Sequence, residues 1–122
     1  RVTQQELVDL LNTASCLLYT SELEPFGYAP LEANACGLPT VAIAEGGIRE
    51  TVIDNVNGLL GPRDPAKLAV AVDRILTDPA LFQRLSEQGK AWVAEKWTID
   101  QAIDRVEREL EDVLRRKAGA QV

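Results

Sequence analysis

A chain of 122 residues with 46% apolar and 26% charged side chains has the makeup of an ordinary globular protein. It is long enough to bury roughly two-thirds of its unfolded surface as one domain, 1–122. A net charge of −6 argues against a nucleic-acid partner, whose phosphates call for a basic face, and the absence of histidine removes imidazole catalysis and most zinc or iron sites.

Thr3-Gln4-Gln5-Glu6 has the form of a capping box, and Leu7, Leu10, Leu11 and Ala14 make one stripe, predicting a helix over residues 4–13. Cys16-Leu17-Leu18-Tyr19 is a short apolar run of the kind a buried parallel strand shows. A stretch punctuated by glycine and proline follows, residues 21–39. Pro25 pushes Glu24 into an extended conformation, Gly27 permits a bend, and Pro30 suits the first turn of a short helix that Gly37 and Pro39 end.

Thr40-Val41-Ala42-Ile43-Ala44 is the clearest second strand, and residues 48–52 start another short helix. Between them Gly46-Gly47 reads either as a tight turn or as a place where the backbone can approach a ligand closely. Asp54-Asn55 and Asn57-Gly58 read as turns before a third short strand at Leu59-Leu60. This alternation predicts an α/β fold, a Rossmann-like parallel sheet flanked by helices.

The remainder predicts a helical C-terminal segment. Asp64-Pro65 supplies N-cap and N1 of a helix whose Leu68, Val72, Ile75 and Leu76 share a face. Asp78-Pro79 repeats that signal for a helix reaching about residue 95, with Gly89 a weak point costing ~1 kcal/mol relative to alanine. Thr98-Ile99-Asp100-Gln101 opens a last amphipathic helix, with Ile99, Ile103, Val106, Leu110 and Val113 expected inward. Trp92 and Trp97 read as packing residues, Arg115-Arg116-Lys117 as last-turn cations favoured by the helix dipole, and residues 118–122 are expected to fray. Cys16 and Cys36 lack CxxC spacing and read as buried free thiols of a reducing compartment.

The candidate site lies in residues 21–39. The free N–H groups and positive dipole end of a helix's first turn attract phosphate, and Glu24 and Glu32, eight positions apart, flank that turn. Carboxylates accept hydrogen bonds from sugar hydroxyls, and diol plus diphosphate is the chemistry of a nucleotide sugar.

The string Glu24-Pro25-Phe26-Gly27, Leu31-Glu32-Ala33 and Ala35-Cys36-Gly37-Leu38-Pro39, followed by Gly46-Gly47 and Asn57-Gly58, resembles the E-x7-E region of the retaining glycosyltransferases of GT-B fold in family GT4. The resemblance covers roughly residues 3–96. It implies the C-terminal, donor-binding part of an enzyme moving a hexose from a nucleotide sugar, such as a UDP- or GDP-hexose, to a hydroxyl acceptor, saccharide or lipid-linked. No metal or other cofactor is expected. By the resemblance Glu24 is the catalytic-site carboxylate touching the transferred sugar, and Phe26 and Gly27 add amides to the same sugar. Tyr28, Ala29 and Leu31 belong to the donor-binding turn, with the phosphates over the amides of Ala29 and Leu31. Glu32 accepts both ribose hydroxyls.

Enzymes of this kind also carry an arginine and a lysine upstream and an N-terminal acceptor domain. Only Arg1, Val2 and Thr3 precede the first helix here. The expectation is therefore an excerpt of a longer chain, inactive alone, whose exposed strand edge would allow it to dimerise. The parent is expected in the cytoplasm, free or peripheral at the inner membrane. The rival reading is a non-catalytic nucleotide- or partner-binding module. An NAD-binding domain is disfavoured, because no G-x-G-x-x-G follows a strand.

Overall fold

The computed structural model describes residues 1–119. Four of its described helices begin where side chains stand ready to satisfy their first amides. Thr3 caps α1 (Gln4–Thr13) in a capping box: its hydroxyl accepts the Glu6 amide, and Glu6 in turn accepts the Thr3 amide at 2.7 Å. Asp64 accepts the amides of Ala66 and Lys67 at the start of α4 (Pro65–Thr77), and Asp78 accepts that of Leu81 at the start of α5 (Pro79–Lys96). In both, proline occupies a position where no N–H is needed. The Thr98 hydroxyl accepts the Gln101 amide at the start of α6 (Ile99–Gly119). Fraying is expected over residues 118–122, but Ala118 and Gly119 are still helical, and residues 120–122 lie outside the described residues.

Three strands, β1 (Leu17–Tyr19), β2 (Thr40–Ile43) and β3 (Gly58–Gly61), form a parallel sheet in that order. The register aligns Leu18 with Val41 and Val41 with Leu59. The short helices α2 (Tyr28–Ala35) and α3 (Ile48–Thr51) lie in the connections. This is the expected parallel α/β arrangement with a helical C-terminal segment.

Central β2 is buried along its whole length, as a strand covered on both faces must be. On one face Val41, Ile43 and Leu59 meet Leu68, Ile75, Leu81 and Leu85 of α4 and α5. On the other, Ala42 meets Ile48 and Val52, with Tyr19 and Leu60 against them. Each fully buried Leu, Ile or Val contributes about 1.5–3 kcal/mol.

Three expectations need correction, and the stripe of α1 is only partly covered. β1 is an edge strand and not a buried one, so Leu18 is 50% exposed. In α1, Leu7, Leu11 and Ala14 are only half-buried and Leu10 points outward. Leu76 does not share the buried face of Leu68 and Ile75: it follows Ile75 directly, about 100° further round the helix, and is 55% exposed. Most consequential is α6, which buries none of its residues. Ile99, Ile103, Val106, Leu110 and Val113 are 47 to 73% exposed: the Ile99 end borders the start of α2 across a shared cleft, and the rest of the face is open.

Gly89 proves more than a weak point. A Cβ there would stand 2.5 Å from Oδ1 of buried Asn34, so its smallness lets α5 cross α2 closely. Both cysteines are free thiols and half-buried, and burial pushes the Cys16 thiol up from its ordinary value. Among the described residues, no helix is long and apolar enough to cross a membrane.

Candidate functional site

The loop from β1 to α2 leaves the carboxyl edge of the sheet, where ligands of open α/β sheets bind. Its path depends on Leu23, an exposed residue held at a left-handed φ of +48°. Such a conformation is uncommon for a side-chain-bearing residue and costs roughly 1 kcal/mol. It turns the chain back so that Glu24 meets the end of β1.

There the Tyr19 hydroxyl donates to Glu24 Oε2 at 2.8 Å, and the Ser21 hydroxyl donates to the same oxygen at 3.3 Å. The Phe26 amide lies 3.5 Å from the other oxygen, Oε1. The Tyr19 hydrogen bond is the main cause holding the Glu24 carboxyl below its ordinary range; partial burial opposes it, and the amides of Phe26 and Gly27 and the Ser21 hydroxyl add to it. Burial, then the Glu24 carboxylate, pushes the Tyr19 phenol up. The two shifts agree: the phenol keeps its proton and donates, and the carboxylate is ionised and accepts.

Gly27, at φ +95°, opens α2 without a side chain to cap it. The first-turn N–H groups are thus left without a side-chain acceptor. Phe26 is half-buried, Gly27 buried, Tyr28 exposed and Ala29 half-buried, whereas the Leu31 side chain belongs to the core. The structure therefore brings Glu24, Phe26 and Gly27 together at the head of α2. Glu32 sits one turn along the same helix, exposed.

The paired glycines support this loop. The Gly47 amide donates to the Glu24 carbonyl at 2.8 Å. A Cβ on Gly46 would stand 2.5 Å from that same carbonyl oxygen, and one on Gly47 would stand 2.7 Å from Phe26 Cα. The close approach that these glycines permit is to the chain's own Glu24–Phe26 backbone. Behind them the Thr51 hydroxyl donates to the Phe26 carbonyl at 3.4 Å.

Several contributors were not foreseen. Tyr19 read as part of an apolar strand, and Ser21 as loop; only a loop that doubles back at Leu23 makes them partners of Glu24. Trp97 does pack, but against the site: its ring meets the Phe26 ring edge-on at 5.2 Å, and the Phe26 ring also meets Tyr28 at 4.8 Å. The Arg105 guanidinium lies 5.2 Å over Trp97. Phe26, Tyr28, Leu31, Trp97 and Arg105 are among the residues lining a cleft of about 480 Å³ beside the turn. Arg63, after β3, pairs with Glu45 after β2 and Glu22 after β1, tying three loops at this edge. Nothing in local spacing marks that long-range set.

The model for the family of glycosyl transferases group 1 matches residues 1–92. The chain is 34% identical over 104 residues to the mouse alpha-1,3/1,6-mannosyltransferase ALG2, covering 85% of this chain and 25% of that protein. It is 45% identical over 84 residues to a D-inositol 3-phosphate glycosyltransferase of Frankia alni, covering 68% of this chain and 21% of that one. The structure of Anabaena Alr3699/HepE in complex with UDP-glucose superposes with a TM-score of 0.76 at 27% identity, over 84% of this chain and 29% of that one. The chain thus spans about a quarter of the length of the relatives it matches. Over the part it spans, the match is broad enough to place it: the chain belongs to the glycosyl transferases group 1 family.

Proposed function

We propose that this chain, residues 1–122 as a single domain, is the donor-binding part of a retaining, metal-independent glycosyltransferase. The parent transfers a hexose from a nucleotide sugar to a hydroxyl acceptor, saccharide or lipid-linked. The observation that carries the reading is an ionised Glu24, held by two hydroxyls, immediately before the uncapped first turn of α2. A carboxylate and a set of unpartnered amides side by side suit a ligand with hydroxyls at one end and a diphosphate next to them.

In this reading Glu24 accepts a hydroxyl of the transferred sugar, with the Phe26 and Gly27 amides beside it. The turn at Tyr28, Ala29 and Leu31 receives the diphosphate, and its dipole opposes the charge that develops on the leaving group. Exposed Glu32 accepts the ribose hydroxyls, a charge-assisted pair contributing ~2–3 kcal/mol to donor affinity. Family membership and the UDP-glucose complex of the Anabaena protein support the class of donor. The acceptor domain and the upstream cationic pair belong to the rest of the parent, so the chain alone is inactive. Its free thiols fit a reducing cytoplasm, with the parent free or peripheral at the inner membrane.

Titrating UDP, GDP and ADP into the chain, followed by amide NMR shifts, tests the reading. Shifts centred on residues 27–32 with one base, lost in Glu32→Ala, are expected. No shift from any nucleotide at millimolar concentration, in this chain and in the full-length parent alike, would overturn it.

A further inference from the structure

Building on the donor-site reading above, we propose that Tyr19 is a positioning residue for Glu24: it holds Oε2 so that Oε1 alone is presented to a hydroxyl of the donor sugar. The two carboxylate oxygens have unequal surroundings. Oε2 accepts from the Tyr19 hydroxyl at 2.8 Å and from the Ser21 hydroxyl at 3.3 Å, which fills its two lone-pair directions. Oε1 has the Phe26 amide at 3.5 Å, the outer limit of a hydrogen bond, with the Gly27 amide also turned toward the carboxylate, and it keeps room for a strong donor.

The holding force comes from the sheet and not from the loop. Tyr19 is the last residue of β1, and its ring packs against the buried cluster of Ala42, Ile48 and Val52. Its hydroxyl is thus placed by the core. The Glu24 backbone is seated on Gly46 and Gly47, but its side chain leaves that backbone on flexible torsions, between the exposed Leu23 and Pro25. The terminal torsion of a glutamate is broad, so without Tyr19 the carboxylate would rotate and lose the distinction between its oxygens. The raised phenol and lowered carboxyl titrations are those of a donor and acceptor that stay matched through neutral pH.

Tyr19→Phe keeps the ring and removes the hydroxyl, and Glu24→Gln serves as reference. Affinities for UDP and UDP-glucose, and for GDP and GDP-mannose, are measured in the chain and in the full-length parent, with the Glu24 carboxyl titrated by carbon NMR. In Tyr19→Phe the nucleotide should bind within about twofold of wild type, while the matching nucleotide sugar weakens about fivefold, the loss of one hydrogen bond. The Glu24 carboxyl should titrate higher, toward the ordinary carboxylate range. Equal weakening of nucleotide and nucleotide sugar would mark Tyr19 as merely structural and overturn the proposal. So would an unmoved Glu24 titration. Wild-type protein that binds neither ligand would instead overturn the donor-site reading on which the proposal rests.

Discussion

Helix α2 and helix α6 invert what their sequences advertise. The α2 segment, Tyr28–Ala35, shows no apolar stripe, yet Pro30, Leu31, Ala33 and Asn34 are buried. The α6 segment carries a seam spaced four, three, four, three residues apart, Ile99 to Val113, and buries nothing. Periodicity records which face of a helix is apolar. Whether that face is covered depends on a neighbour, and beyond Ile99 the α6 seam is open among the described residues. Helix α2 is covered on several sides because glycines on two other segments, Gly46-Gly47 after β2 and Gly89 in α5, let it and its entry loop come close. Burial in this chain follows shape at α2 and would need a partner at α6.

Two glycine substitutions break the α2 side of the comparison. Gly47→Ala should have the larger effect of the two. Its φ of −68° suits any residue, so the cost is steric: the new Cβ would stand 2.6 Å from the Pro25 carbonyl carbon and 2.7 Å from Phe26 Cα. Backbone cannot step aside as a side chain can, so a loss of about 3 kcal/mol is expected by chemical denaturation. A loss below about 1 kcal/mol would mean that the Glu24 loop is not seated on Gly47 in solution.

Gly89→Ala tests the crossing of α5 over α2, and here the sign decides. In an uncovered helix interior the change stabilises by about 1 kcal/mol. At this crossing the Cβ would meet Asn34, whose amide is held by the Pro30 carbonyl at 2.9 Å. A loss of about 1–2 kcal/mol in denaturant midpoint is therefore expected. A gain in stability would show that the two helices stand farther apart.

Legibility follows the same division. Helix starts were readable because caps are local: Thr3, Asp64 with Pro65, and Asp78 with Pro79 each satisfy amides two or three residues away. The strands were readable as short apolar runs between turn residues. Of the site, the Glu24 and Glu32 spacing and the glycine at the head of α2 were visible in sequence. What holds Glu24 in place was not, because Tyr19 reaches it only through the left-handed turn at Leu23, a conformation no local rule assigns to leucine. The seating of Phe26 against Trp97 and the Arg63 ties to Glu22 and Glu45 join segments distant in sequence, and composition carries no trace of such pairings. The inward face assigned to α6 failed for the complementary reason: its pattern is local and its burial is not.

The smallest expected effect sharpens the other side of the comparison. Val106 lies mid-seam and is 59% exposed. Val106→Lys removes a β-branched residue from a helix interior, which favours the helix slightly, and strips apolar surface that water already reaches. The change in stability of the chain should stay within about 0.5 kcal/mol, as at other exposed positions. Leu85→Lys, on a side chain fully buried in α5, would by contrast place an unpaired charge in the core and unfold the protein. If Val106→Lys instead cost about 2 kcal/mol at high protein concentration and nothing on dilution, the seam would be covered by another copy of the chain. A concentration-independent loss of that size would mean that α6 folds back onto its own chain, and the contrast with α2 would disappear.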